Sequence, residues 1–171
     1  DIRTDIPTVI FAGYPNVGKS TLLNKVTGSK AKVASYPFTT KSIQLGYFTM
    51  RYRDVQAIDT PGLLDRAQTE YSPIEKKAIA ALTHLATAIV FVIDPTSSAG
   101  YTLEKQYGFY DRIKQRFAHV PFILVINKCD IAQGNEIENA KKLFGEECIL
   151  EGHNLPTPLK DAIGKALGIL S

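Results

Sequence analysis

Four short runs of apolar residues recur along the chain, and each has the length of a β-strand. They cover Thr8–Ala12, 55–58, Ala88–Ile93 and Phe122–Ile126. Their apolar residues are continuous rather than alternating, which is typical of strands in a sheet that is covered on both faces. Residues 42–52 alternate better between apolar and polar positions, and they predict an edge strand that leads back into 55–58.

Helical patterns lie between these runs. A helix is expected over 20–27, and Ser72, Pro73 and Glu75 have the spacing of a capping box at the start of another. A third helix is amphipathic and is expected to bury Leu103, Tyr107, Tyr110, Ile113 and Phe117. Two shorter helices are predicted at Glu136–Phe144 and at 158–167. The alternation predicts an α/β fold. We expect a mostly parallel sheet with one antiparallel edge strand and with helices on both faces. In such a fold, ligands bind at the carboxyl ends of the strands.

The composition narrows the class of protein. The chain has 171 residues, of which 44% are hydrophobic and 22% charged, and no repeat or linker divides it, so residues 1–171 are expected to form a single domain. Two cysteines are too few for a disulfide scaffold and favour a reducing compartment. No apolar stretch reaches the roughly 20 residues that span a bilayer, so no membrane contact is expected. Residues 1–7 lack an initiator Met and a signal-peptide pattern, and we expect the chain to be part of a longer protein.

The charge is unevenly distributed. The net charge is only +3, but residues 20–53 carry six basic residues and no acidic one. This stretch is either a solvated surface or a basic face for a phosphate-rich partner such as RNA.

The segment GYPNVGKS at 13–20 lies between the first predicted strand and the first predicted helix. It is either a strand-to-helix turn with a solvated lysine or a P-loop, in which backbone N–H groups and a helix N-terminus bind phosphate. Two glycines four residues apart, followed by Lys and Ser, favour the P-loop. Lys19 would reach the β- and γ-phosphates, and the Ser20 hydroxyl would bind Mg²⁺. The predicted nucleotide-binding residues of this loop are Asn16, Val17, Gly18, Lys19, Ser20 and Thr21.

Two further motifs end predicted strands. In DTPG at 59–62, Asp59 can hold the metal through water and Gly62 can offer its N–H to a terminal phosphate, although such a turn alone is common. In NKCD at 127–130, Asp130 can accept hydrogen bonds from N1–H and the N2 amino group of guanine, which adenine cannot offer. Asn127, Lys128 and Asp130 are therefore predicted to bind the nucleotide, with Asp130 on the base, the alternative being a polar turn. Asp94 also ends a strand on this side, and we expect it to be structural.

The segment YPFTTKS precedes the predicted edge strand. A threonine hydroxyl there can coordinate Mg²⁺ when the γ-phosphate is present and release it afterwards. Thr40 is favoured over Thr39 for this role.

Taken together, GYPNVGKSTLLNKVTG, ASYPFTTKSIQLGYF, DTPGLLDR and NKCD resemble the Obg-related GTPases. The wider pattern over 8–131 is similar to the Nog family of nucleolar GTP-binding proteins and their archaeal relatives. The resemblance implies a P-loop NTPase G domain that binds GTP or GDP with Mg²⁺ and acts in large ribosomal subunit assembly. It implies the large ribosomal subunit or its precursor as partner, contacted through rRNA and through regions outside this chain. A cytoplasmic location is implied, or a nucleolar one in a eukaryote, and no oligomer is expected.

The chain departs from the resembled pattern at two places, and a third position has two possible roles. Leu63 follows DTPG where Ras-type GTPases carry a water-orienting glutamine, although the resembled relatives are also hydrophobic there. The guanine-packing Ser-Ala loop is lacking near 149–153, so that loop is either degenerate or incompletely represented. Asn16 either helps to seat a potassium ion beside the phosphates, as relatives with this residue can, or braces the loop by hydrogen bonding.

The leading prediction is a GTP-hydrolysing switch, slow without a partner, in which Lys19, Thr40 and Gly62 serve hydrolysis. The alternative is a guanine-nucleotide-binding scaffold with negligible hydrolysis of its own. An ATP-driven enzyme is disfavoured by NKCD, and a simple RNA-binding module does not explain four ordered motifs.

Overall fold

The computed structural model describes residues 2–28, 31–37, 39–66, 71–96, 98–153 and 158–171. Within them a seven-stranded sheet has the strand order β2-β3-β4-β1-β5-β6-β7. The strands are β1 (Thr8–Ala12), β2 (Lys32–Ser35), β3 (Ser42–Met50), β4 (Arg53–Asp59), β5 (Ala88–Ile93), β6 (Phe122–Ile126) and β7 (Ile149–Leu150). The mostly parallel α/β architecture expected from the sequence is confirmed.

The antiparallel strand lies one position further inside the sheet than predicted. β3 runs antiparallel to both of its neighbours, whereas β1, β4, β5, β6 and β7 pair in parallel. The edge is formed by β2, whose short sequence KVAS leaves Val33 exposed and therefore carries no buried-strand pattern. The prediction that 42–52 forms the edge strand was wrong for this reason.

In the described ranges there are five helices, four of which lie between strands while the fifth follows β7. They are α1 (Lys19–Thr27), α2 (Pro73–Leu85), α3 (Leu103–Arg116), α4 (Glu136–Phe144) and α5 (Leu159–Ala166). From β4 onward the crossovers step in one direction along the sheet, while the connection through α1 steps in the other. Right-handed crossovers therefore place α1 on the face opposite to α2, α3 and α4. In the described part of the chain, no helix is both long enough and apolar enough to cross a bilayer.

The centre of the sheet forms the core. Every residue of β1 and β5 is buried, as the continuous apolar runs predicted. Phe91 of β5 meets the rings of Phe109 and Tyr110 from α3 at centroid distances of 5.7 and 5.3 Å. Tyr107 was expected to be buried with Tyr110, but it is 38% exposed, because the buried face of α3 passes through Phe109 instead.

The start of α2 confirms the capping box. Ser72 Oγ accepts from the Glu75 N–H at 3.2 Å, and a Glu75 carboxylate oxygen accepts from the Ser72 N–H at 3.1 Å. Pro73 occupies the first turn, where its missing N–H is not needed.

The β3–β4 hairpin turns through two bulky residues. Arg51 and Tyr52 have φ values of 46° and 65°, a left-handed conformation that two-residue turns usually give to Asn and Gly. For a residue with a side chain this conformation costs about 1 kcal/mol. Tyr52 is fully exposed, so no packing of its ring offsets that cost.

Candidate functional site

The loop 13–18 connects the carboxyl end of β1 to the first turn of α1, as predicted. Gly13 and Gly18 have φ values of 142° and 107°, which disfavour any side chain. A Cβ at Gly13 would lie 2.7 Å from the Val92 carbonyl oxygen, and one at Gly18 would collide with the Asn127 amide. Both glycines are therefore required by the close approach of β5 and of the segment that follows β6.

The side chain of Lys19, the first residue of α1, folds back onto this loop. This side chain is buried, and its Nζ donates to the carbonyl oxygens of Gly13 and Tyr14 at 2.7 and 2.8 Å. Burial lowers the pKa of Lys19, although the carboxylates of Asp59 and Asp65 act in the opposite direction. The loop carbonyls thus hold an ammonium group at the N-terminus of α1, the position at which anions bind.

Ser20 and Asp59 meet beside Lys19. Ser20 Oγ donates to Asp59 Oδ2 at 3.1 Å, while Asp59 Oδ1 is buried and has no hydrogen-bond partner among the residues that the structure describes. Burial raises the pKa of Asp59, with Lys19 and Ser20 opposing the shift. An unpartnered carboxylate oxygen next to a hydroxyl is a set of hard oxygen donors, which is what Mg²⁺ prefers. The residues present therefore fit a magnesium ion.

The segment after β6 closes the loop from the other side. The Asn127 amide donates to the buried carbonyl of Val17 at 2.9 Å, and Lys128 adopts a left-handed φ of 57°. Lys128 Nζ donates to the Asn16 carbonyl oxygen at 2.8 Å. The NKCD segment and the P-loop are thus joined directly, over more than a hundred residues of sequence.

Asp94 anchors the same lysine. Its carboxylate accepts from Lys128 Nζ at 2.9 Å and also from the Thr96 N–H, the Thr96 hydroxyl, the Ser98 hydroxyl and the Ala99 N–H. Burial acts to raise the pKa of Asp94, but the hydrogen bonds from Thr96 and Lys128 outweigh it and lower the pKa. Asp94 therefore has the structural role expected from the sequence, but its specific partner, Lys128, was not predicted.

Two cavities follow from this arrangement. One of about 390 Å³ is lined by Asn16, Gly18, Lys19, Ser20, Thr21, Asp59 and Lys128. A second of about 520 Å³ lies beside it, and its lining includes Gly18, Thr21, Asn127, Lys128 and Asp130. Asp130 is exposed at its mouth. The structure thus brings together all the predicted binding residues of the P-loop and of NKCD, with Val17 held behind them by Asn127.

The wall of the second cavity includes a segment whose role the sequence left open. Gly152 and His153 line this cavity, where a guanine-packing loop was expected. Residues 154–157 lie outside the described part of the chain. Lys25 also lines the cavity, and no motif pointed to it.

The predicted switch residues lie apart from both cavities. Thr40 is exposed and is absent from their linings, and Thr39 Oγ1 accepts from the Lys41 N–H at 3.1 Å. Lys41 Nζ donates to the Gly62 carbonyl oxygen at 2.8 Å and pairs with Glu75 at 3.1 Å. Lys41 therefore links the segment after Thr40 to the DTPG turn, a connection that no motif predicted.

Leu63 is buried, and its N–H and carbonyl oxygen are both hydrogen bonded, to the Thr60 carbonyl and the Tyr71 hydroxyl. The position of the Ras-type glutamine is thus part of the core in this chain. This placement agrees with the expectation that Leu63 does not orient water.

A mostly parallel sheet in which the 13–20 loop after β1 lies beside the 127–130 segment after β6 has the architecture of a P-loop GTPase G domain. Residues 8–128 match the family described as 50S ribosome-binding GTPase. The chain belongs to this family. The motif-based prediction of its relationship to the nucleolar GTP-binding proteins is confirmed by the relatives that follow.

Among curated proteins, an uncharacterized protein of Methanocaldococcus jannaschii is 48% identical over 134 residues, which cover 78% of this chain and 37% of that protein. Nucleolar GTP-binding protein 1 of Saccharomyces cerevisiae is 40% identical over 167 residues, covering 93% of this chain and 26% of that protein. The chain therefore spans between about a quarter and about two fifths of these relatives.

Solved structures show the same relationship. A candidate nucleolar GTP-binding protein 1 of Plasmodium falciparum has a TM-score of 0.78 and 29% identity, covering 99% of this chain and 88% of that chain. The G domain of the T. maritima FeoB iron transporter has a TM-score of 0.72 at 24% identity, covering 96% and 98% of the two chains. This second likeness concerns the fold alone.

Proposed function

We propose that the chain is a GTP-hydrolysing molecular switch that acts in the assembly of the large ribosomal subunit. The observation that carries the proposal is the shared position of the two binding segments. Gly18 and Thr21 of the P-loop line the same cavity as Asn127, Lys128 and Asp130, so one ligand can contact both. A guanine nucleotide has the matching chemistry, with phosphates at one end and a donor edge of the base at the other.

The chain's own residues suggest how the phosphates are held. The Lys19 ammonium is fixed by loop carbonyls at the N-terminus of α1, where it would neutralise phosphate charge. Ser20 and Asp59 would hold Mg²⁺, which when bound neutralises charge on the β- and γ-phosphates. Gly62 would donate its N–H to the terminal phosphate, and Thr40 would complete the metal site when its segment closes. Thr40 lines neither cavity in this structure, so the proposal requires this segment to move.

Nucleotide affinities test binding directly. The wild-type protein should bind GTP and GDP and discriminate against ATP, and Lys19→Ala should lower triphosphate affinity by more than about tenfold, or 1.4 kcal/mol. Asp130→Asn should shift preference from GTP toward XTP, because the amide can donate to the extra carbonyl of xanthine. ATP binding as tight as GTP binding, or unchanged selectivity in Asp130→Asn, would contradict the base assignment.

A second candidate is a guanine-nucleotide-binding scaffold that hydrolyses almost nothing alone. The burial of Leu63 favours the scaffold, because a buried leucine cannot orient the attacking water. Hydrolysis also requires stabilisation of charge on the phosphates, and a potassium ion seated by Asn16 is a candidate to supply part of it. Single-turnover hydrolysis with and without large ribosomal subunits distinguishes the two, since a switch is accelerated by its partner and a scaffold is not.

Assembly of the ribosomal subunit implies contact with rRNA. The basic stretch at 20–53 supports this only in part, because Lys25 and Lys41 are paired with Glu151 and Glu75. Lys32, Arg51 and Arg53 are exposed and remain available for phosphate, while Lys30 lies outside the described residues. By analogy with the relatives' names, a nucleolar location in a eukaryote or a cytoplasmic one elsewhere is part of the proposal.

A further inference from the structure

Glu151 is a fully buried carboxylate for which the proposed mechanism has no use. It directly follows β7, and both of its oxygens are bonded. Oε1 lies 3.1 Å from Lys25 Nζ, and Oε2 accepts from the Leu159 N–H at 3.1 Å. A charge buried this completely is stable only when it is paired and hydrogen bonded, so its position is tightly constrained by these two partners.

The two partners belong to different elements. Lys25 is on α1, the helix whose first residue is Lys19, and Leu159 begins α5. The segment between Glu151 and Leu159 begins with Gly152 and His153, which line the cavity that holds Asp130. Glu151 therefore contacts the first residue of α5, and Lys25 ties Glu151 to the helix of the P-loop.

Lys25 also bonds the segment itself. Its Nζ donates to the Gly152 carbonyl oxygen at 2.8 Å, in addition to its bond with Glu151. The Gly152–His153 peptide is trans, so the His153 N–H points away from this carbonyl and from Lys25. One ammonium group thus sets the orientation of a peptide plane in the wall of the cavity.

We propose that Lys25 and Glu151 are positioning residues that hold the segment Gly152–His153 against the base of the bound guanine nucleotide. This inference rests on the proposed function, because it assigns the second cavity to the base. The pair couples phosphate binding to base binding, since the helix that receives the phosphates also carries the lysine that orients the base-packing segment. The ion pair thus holds a base-packing segment in a chain that lacks the Ser-Ala motif.

The alternative is that the pair merely anchors α5. An anchor would stabilise the whole fold, and its loss would weaken every element equally. A positioning pair acts locally, and its loss would loosen Gly152–His153 and weaken guanine binding while the P-loop stays ordered. Two measurements on the same variants separate these outcomes.

The experiment measures GDP affinity by calorimetry and amide hydrogen exchange of the nucleotide-free protein. Lys25→Met keeps the aliphatic stem but removes the hydrogen bonds to Glu151 and to the Gly152 carbonyl oxygen, and Lys25→Arg can form them again. Lys32→Met is the matched control, because Lys32 is exposed on β2. We expect Lys25→Met to weaken GDP binding about tenfold and to accelerate exchange at Gly152 and His153, but not at 13–18. We expect Lys25→Arg and Lys32→Met to stay within about twofold of the wild type.

Three results would overturn the inference while leaving the proposed function intact. GDP affinity unchanged in Lys25→Met would show that the pair does not position the base. Exchange rising equally at Gly152–His153, the P-loop and β6 would show a general anchor. GDP binding by Lys25→Arg as weak as that by Lys25→Met would show that the ion pair does not position the segment. Failure of the wild-type protein to bind GDP would instead overturn the proposed function, and the inference with it.

Discussion

Lys128 Nζ lies 2.9 Å from Asp94 Oδ2, and this ion pair fixes the lysine against the P-loop. The same ammonium group donates to the Asn16 carbonyl oxygen at 2.8 Å and to Ser98 Oγ at 2.9 Å. Asp94 is buried, whereas Lys128 is half-buried and lines both cavities. Three loops that follow three neighbouring strands are thus joined at one nitrogen atom.

Asp94→Asn should weaken GDP binding about tenfold, or 1.4 kcal/mol. The amide is neutral, so Lys128 loses its counter-charge and holds Asn16 and the base pocket less firmly. Calorimetry with GDP checks this, with Asp111→Asn on the exposed side of α3 as control. Equal affinities for the wild type and Asp94→Asn would show that the pair does not support the binding site.

The same carboxylate predicts a dependence of stability on pH. The pKa of folded Asp94 lies below its ordinary value of 3.8, so its stabilisation is complete above that value and is lost as the pH falls through the folded pKa. Urea unfolding between about pH 5 and about pH 2 should show a steeper loss of unfolding free energy in the wild type than in Asp94→Asn. Parallel curves would contradict this assignment.

Ionised Asp59 is expected to have the opposite effect on stability from ionised Asp94. Burial raises its pKa, so its charge at neutral pH destabilises the nucleotide-free fold. Asp59→Asn should therefore raise the unfolding free energy without nucleotide by on the order of 1 kcal/mol. The same variant should lose magnesium-dependent GTP affinity, because one oxygen ligand is removed. A variant that is less stable and yet binds magnesium and GTP normally would refute both expectations.

Asn16 separates the potassium and bracing hypotheses. Within the described residues its side chain makes no hydrogen bond, and it is the Asn16 carbonyl that is bonded, to Lys128. If potassium acts through Asn16, replacing sodium by potassium at constant ionic strength should accelerate hydrolysis, and Asn16→Ala should remove the acceleration while sparing GDP affinity. Equal rates in the two salts would exclude the potassium hypothesis.

The β3–β4 turn offers a test of local strain. Replacing Arg51 by Asn and Tyr52 by Gly places residues suited to positive φ at both positions, and should raise the unfolding free energy by about 1 kcal/mol. Chemical denaturation of the double variant measures this change. Exchanging the exposed Arg53 for Asn is the control, since the strain lies at the two turn residues.

Much of the site could be predicted because its residues are contiguous in short motifs that end buried strands. β1, β5 and β6 have the predicted bounds, since continuous apolar runs signal central strands. β2 and β7 were missed because they are short and have little buried surface, so their pairing depends on the neighbouring strand. The pairs Lys128–Asp94 and Lys25–Glu151 join residues 34 and 126 positions apart, and no local pattern records such contacts.

The strand order divides the sheet into two parts that follow one another along the chain. Residues 8–59 supply the neighbouring strands β2, β3, β4 and β1, and residues 88–150 supply β5, β6 and β7. During synthesis the first four strands can therefore pair before the others exist, beginning with the local β3–β4 hairpin. Until β5 emerges, β1 presents an unpaired hydrophobic edge, which is an aggregation hazard. Vectorial synthesis thus makes the β1–β5 pairing the step at which a nascent chain most needs protection.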